Sequence, residues 1–204
     1  FEGRVKGVID WGDGVTEVLD KSYVYSADLS HAYAQGAEST VEVAFRGTVE
    51  TLATNNSTKG EVLKASLTGI TQWGTPELKK LSLQDAIALK HLAADTKGAL
   101  SAITDFTSSF DGCTSLKSIP EGLFAMATSA RNFDYTFKDC TSLTSLPSDL
   151  FAHNAQAITF NGTFYRCEKL ETLPESLFAG TPAAHSLNEI FYGCTALKEL
   201  PANL

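Results

Sequence analysis

Four cysteines stand at Cys113, Cys140, Cys167 and Cys194, each 27 residues from the next. Thiolate is the softest ligand a protein owns, so a metal site is the first chemistry to weigh. Zinc sites set their cysteines in close pairs, about two to four residues apart, to fix a tetrahedron. An even spacing of 27 offers no such pair. Disulfides between neighbouring copies are the second chemistry, and an exported location would favour them. Copies stacked in parallel point their Cβ vectors the same way, which is poor disulfide geometry. One buried free thiol per copy satisfies both arguments. His31, His91, His153 and His185 offer general bases, yet none lies in a motif with a nucleophile and an orienting carboxylate. Asp10 and Asp13 lack the alternating acidic run, closed by a Glu, that a Ca²⁺ loop requires, and read as turn-forming side chains. No phosphate loop, nucleotide fingerprint or nucleophile elbow occurs. The sequence predicts no enzyme, no cofactor and no metal.

The cysteines belong to a phrase, F-x-x-C-x-x-L-x-x-[IL]-P, written at Phe110–Pro120, Phe137–Pro147, Phe164–Pro174 and Phe191–Pro201. A period kept without one insertion marks stacked copies of a single unit. A degenerate first copy supplies Leu83, Ala86, Leu89 and Leu92, with Ala93 in place of the Pro. Its residues 83–96 also have helical periodicity, so this copy is expected to be more helical than the others. A second column precedes each leading Phe by four residues: Phe106, Phe133, Phe160 and Leu187. Stacking would turn Phe106, Phe133, Phe160, then Phe110, Phe137, Phe164 and Phe191, and the four Cys into interior ladders. A short strand is expected around residues 157–161 and a helical turn over F-x-x-C-x-x-L, with Pro closing each copy at a bend.

Residues 1–69 read as β. Val41, Val43 and Phe45 alternate with polar or small neighbours, and the polar segment 55–60 has the composition of a hairpin loop. Residues 70–82 form a seam, in which Trp73 suits a junction anchor. Asp10-Trp11-Gly12-Asp13-Gly14, followed by His31-Ala32-Tyr33 and Gly36, is similar to the signature of PKD-like modules of the immunoglobulin fold. TFKDCTSLTSLP and TFYRCEKLETLP resemble the bacterial surface leucine-rich repeats of the BspA-like type over residues 83–204. Together the resemblances imply a mixed α/β chain: a small N-terminal β-sandwich, then a right-handed leucine-rich-repeat solenoid with one degenerate and four clear 27-residue coils.

Sixteen Lys+Arg against twenty-four Asp+Glu give a charge of −8 without a basic cluster, which argues against nucleic acid. No apolar run is long enough to span a bilayer, and no export signal opens the sequence. Residues that vary between copies then carry whatever is recognised: Arg131, Tyr135, Tyr165, Arg166, His185 and Tyr192. The BspA-like resemblance implies a bacterial cell-surface or secreted adhesion protein that binds host or matrix proteins or glycans. Two other readings stand beside it. One is a structural stalk that self-associates through the last coil, and the other is an accessory domain of a surface glycan-utilisation system.

Overall fold

The computed structural model describes residues 2–10, 16–22, 44–53, 67–73, 78–202 and 204. The expected hairpin loop at 55–60, the turn after Asp10 and His31 lie outside the described residues. Four strands form one sheet in the order β2-β1-β3-β4: β1 Glu2–Asp10, β2 Thr16–Ser22, β3 Ala44–Ala53 and β4 Lys80–Ser82. Val5, Val8 and Ile9 in β1, and Thr48, Val49 and Thr51 in β3, are the β-branched residues that favour a pleated ribbon. β1 runs antiparallel to both neighbours, with Val8 opposite Val18 of β2 and Arg46 of β3. A second sheet, needed for a sandwich, would draw on residues 23–43 and 54–66, outside the described residues.

The residues assigned to the seam are tied to both sides. β4 pairs in parallel with β3, Thr51 to Lys80 and Ala53 to Ser82. Gly69 bridges His91, and Trp73 donates its indole N–H to the Ala93 carbonyl at 2.6 Å while its ring meets Phe110 edge-on. Strand β3 thus pairs with the three residues that lead into the first 27-residue copy, and Thr68 and Ile70 bond that copy directly at Lys90 and His91.

From Leu83 onward, each copy donates main-chain N–H groups to carbonyls 26 residues later. Phe106, Ser108, Phe110 and Gly112 donate to Asn132, Asp134, Thr136 and Lys138 at 2.8–3.0 Å, and the pattern repeats from Phe133 and again from Phe160. This register stacks like on like. Phe106, Phe133 and Phe160 lie 5.2–5.4 Å apart and nearly parallel. Phe110, Phe137, Phe164 and Phe191 form a second stack at 5.2–5.7 Å, and Phe124, Phe151 and Phe178 a third. Neighbouring stacks meet edge to face, the arrangement that ring quadrupoles prefer.

Three expectations are corrected. The strand near 157–161 shrinks to single bridges, Asn132 to Thr159 and Thr159 to Ser186. F-x-x-C-x-x-L is a chain of linked turns, Cys140 N to Phe137 O and Leu143 N to Cys140 O, rather than a helical turn. Asp139, the third residue of its turn, has φ 55°, which no α-helix accepts. The first copy is no more helical than the rest: Ala86 N bonds Leu83 O, and Leu89 N bonds Ala86 O, in the same turns. Leu187 also departs from its column, being 47% exposed.

Burying a Phe ring removes about 150–250 Å² from water, a gross gain of roughly 4–6 kcal/mol at about 25 cal/mol per Å². Phe133 has rings on four sides, Phe106, Phe124, Phe151 and Phe160, all within 5.4 Å. Phe133→Ala is expected to cost about 3–5 kcal/mol in urea unfolding, whereas half-exposed Leu187→Ala should cost under about 1 kcal/mol.

Candidate functional site

The interior thiols are the most reactive groups the phrase contains, and the fold disarms them. All four are free and buried. Each S–H points at a carbonyl of the preceding copy: Cys113 to Leu83, Cys140 to Phe110, Cys167 to Phe137 and Cys194 to Phe164, at 3.1–3.3 Å. Burial, chiefly, pushes Cys113 from an ordinary 9.0 up to about 12 and Cys194 up to about 11, and drives Cys140 and Cys167 well above their usual range. A neutral thiol is neither nucleophile nor ligand at physiological pH. Among the described residues no three His, Cys, Asp or Glu side chains converge, and His91, His153 and His185 are all exposed.

The outer surface is a grid, because the register that aligns the interior also aligns what lies outside. Its first zone is polar and self-satisfied. Asn132 Oδ1 accepts from Asp134 N at 2.8 Å and from Thr159 Oγ1 at 3.0 Å. Asp134 in turn accepts from the Asn161 main-chain N–H at 2.7 Å and from its Nδ2 at 3.3 Å. Asn161 Oδ1 then takes Ser186 Oγ, Asn188 N and Asn188 Nδ2 at 2.9–3.0 Å. This ladder is not among the sequence expectations, although its signal is two polar columns at 27-residue spacing, Asp105, Asn132, Thr159 and Ser186, and Asp134, Asn161 and Asn188.

Four of the six residues singled out from sequence fall together beside that ladder. Tyr165 and Tyr192 stack at 4.9 Å, and Tyr192 is 60% exposed. Arg166 lies next in the chain and drapes its Cγ over Gly193, where a Cβ would sit 2.9 Å away. Tyr135 lies one copy earlier, with its ring against Gly162. Both glycines have positive φ, 57° at Gly162 and 76° at Gly193, and so do Tyr135 and Arg166 at 55°. A left-handed Tyr is costly, of order 1 kcal/mol or more. Here the turn register imposes it, since Ser108 and Glu189 share the conformation at equivalent positions. Arg131 and His185 stand apart across the polar ladder, separated from each other by Ile158. Arg131 reaches Gln156 at 3.4 Å, and His185 Nδ1 lies 3.1 Å from the Ala183 carbonyl.

Charges around the tyrosines are paired. Asp139 joins Lys138 at 3.0 Å and Arg166 at 3.5 Å, and Arg166 also reaches Glu168 at 3.6 Å. Lys138 bridges to Asp111 at 3.2 Å. Burial pushes the Asp111 carboxyl up even against the pull of Lys138. Lys138, whose own burial works the other way, is held up by its bonds to Asp139 and Asp111. The Arg166 pairs are the more exposed ones and add under about 1 kcal/mol each, so Arg166 exchanges partners at little cost.

The thiols give a signed pH dependence. Unfolded thiols ionise near 9.0, whereas folded Cys113 waits until about 12 and Cys194 until about 11, with Cys140 and Cys167 also raised, so the stability they lend is whole below 9.0 and is lost as pH rises above it. The thermal midpoint is expected to fall over that window, and to fall less steeply in Cys140→Ala. At about pH 8 the folded chain should resist iodoacetamide, with all four thiols reacting once urea unfolds it. Equal labelling rates in the two states would refute the sealed ladder. No protein-family model, curated protein or solved structure matches this chain.

Proposed function

We propose that the chain is a non-enzymatic recognition module of the bacterial cell surface or secreted space: a leucine-rich-repeat solenoid of the BspA-like kind, capped by a PKD-like β domain. One observation carries the reading. Interior columns repeat from copy to copy, as in Cys113, Cys140, Cys167 and Cys194, whereas the column after each leading Phe runs Asp111, Lys138, Tyr165, Tyr192, buried at Asp111 and open to solvent at Tyr192. Varied residues on an invariant frame are how repeat proteins read partners. Tyr135, Tyr165, Arg166 and Tyr192 gather the two residue types, Tyr and Arg, that most often dominate binding energy. The ligand is a protein or glycan, bound on this lateral face beside the polar ladder. A net charge of −8 and the paired cations argue against nucleic acid.

Size limits the affinity. Five copies stacked at about 4.8 Å rise only roughly 20 Å, about half the footprint of a standard interface of about 800 Å² per partner. Binding therefore rests on a few anchors, and losing one should be visible. In a combined glycan-array and matrix-protein screen, the strongest hit is expected to weaken about tenfold in Tyr192→Ala and in Arg166→Ala. Silence across both panels, or hits indifferent to these changes, would remove the claim.

A stalk or self-assembly role is the second reading, and the outer face of the last copy favours it. Phe178, Leu187, Ile190, Phe191 and Leu204 line an apolar groove there. The N–H groups of Leu187, Glu189, Phe191 and Gly193, whose counterparts are bonded in earlier copies, find no acceptor among the described residues. In this reading two chains would meet through this groove. Light scattering that gives a monomer mass at every concentration would discard this reading.

A further inference from the structure

We propose that Asn161-Gly162 is a site of covalent self-modification that the polar ladder holds shut, so that opening of the last copy becomes a permanent chemical change. It is the only Asn-Gly pair in the 204 residues. Glycine, with no Cβ, leaves its main-chain nitrogen unhindered for attack on the preceding side-chain amide. In that reaction the Gly162 nitrogen loses its proton and bonds to Cγ of Asn161. The Cγ–Nδ2 bond breaks, and the amide nitrogen leaves as ammonia after taking up a proton. Water then opens the five-membered imide at either carbonyl, leaving an aspartate or an isoaspartate at position 161. Only water is consumed.

The fold restrains every atom this step needs. Gly162 N is committed to the Asn188 carbonyl at 2.8 Å, and its φ of 57° is fixed by the turn. Asn161 Oδ1 is held by Ser186 Oγ, Asn188 N and Asn188 Nδ2, while Nδ2 is held by Asp134 at 3.3 Å. The Tyr135 ring lies over Gly162 on the side a Cβ would occupy. Half of this clamp, Ser186 and Asn188, belongs to the last copy. Burial around that copy is thin: Leu187 is 47% exposed, and Phe178 and Phe191 are only partly buried. Local opening starts where burial is thin, below the free energy of global unfolding.

The product cannot re-seat. An aspartate at 161 would set a carboxylate against Asp134 and lose the Nδ2 donor. An isoaspartate would also lengthen the main chain by one carbon, moving Gly162 N out of line with Asn188 O. Each opening that ends in imide formation therefore leaves the last copy loosened.

The test incubates the folded 204-residue chain at mildly alkaline pH and follows position 161 by peptide mapping and mass spectrometry. Its rate is expected to be at least about tenfold below that of the urea-unfolded chain, and to climb in urea concentrations short of the global transition. Asn188→Ala should accelerate the folded-state reaction several-fold, and Tyr135→Ala less so. In Asn161→Asp, the amides of Phe160, Gly162 and Phe164 should exchange faster while those of Phe106 and Phe110 do not. The proposal is overturned by equal folded and unfolded rates, by an Asn188→Ala rate matching the parent, or by Asn161→Asp exchange protection equal to the parent at Gly162.

Discussion

The fold depends on one bond pattern, a main-chain N–H reaching a carbonyl 26 residues ahead. Once Phe106, Ser108, Phe110 and Gly112 are registered on Asn132, Asp134, Thr136 and Lys138, every side-chain column is aligned. Ring stacks at 5–6 Å, thiols facing carbonyls of the previous copy, and the Asn-Asp ladder all follow from that alignment. Thr136 and Thr163 add to it: each hydroxyl reaches carbonyls in its own and the preceding copy. An inserted residue would break all of these together, which is a physical reason for the period to stay at 27.

The same register imposes a backbone cost at fixed places. Positive φ recurs at Ser108, Tyr135, Gly162 and Glu189, and again at Asp85, Gly112, Asp139, Arg166 and Gly193. Glycine is the inexpensive solution, but a glycine leaves a hole where its side chain would have been. Residues one copy earlier cover those holes, Asp85 over Gly112, Tyr135 over Gly162 and Arg166 over Gly193. The exposed Tyr and Arg residues are thus partly structural, and that pre-organises them. A ring already fixed against a neighbour loses little freedom when a partner arrives.

Much of the interior was legible because a period of 27 needs no knowledge of angles. Phe110 and Cys113 announce their columns by repetition alone. Local conformation was less legible: Asp139 and Arg166 carry left-handed backbones that their residue types signal weakly, so linked turns read as helix. The pairing of β3 with β4 was hidden for another reason. Three residues, Lys80–Ser82, are too few to show an alternation, and only their distant partner makes them a strand. At the surface, Tyr165 and Tyr192 were visible as neighbours one period apart. The coupling of Tyr135 to Gly162 was not, because it links positions 27 apart that belong to one column yet differ in type.

Placement of the polar ladder between two groups of varied residues has a mechanical consequence. Asn132, Asp134, Asn161 and Asn188 spend their hydrogen-bonding capacity on one another, so they present a partner with few open donors or acceptors. A ligand gains little by competing for groups already paired. Under the proposed recognition role, contact would fall on the flanks, Arg131 and His185 on one side and the Tyr-Arg group on the other, while the ladder keeps the copies from sliding. Rigidity across the centre leaves variation to the margins, where Tyr135 and Arg166 also cover glycines of the next copy. The limit on such change is the ladder itself, since a charge introduced at 161 faces Asp134 and loosens the frame that both flanks share.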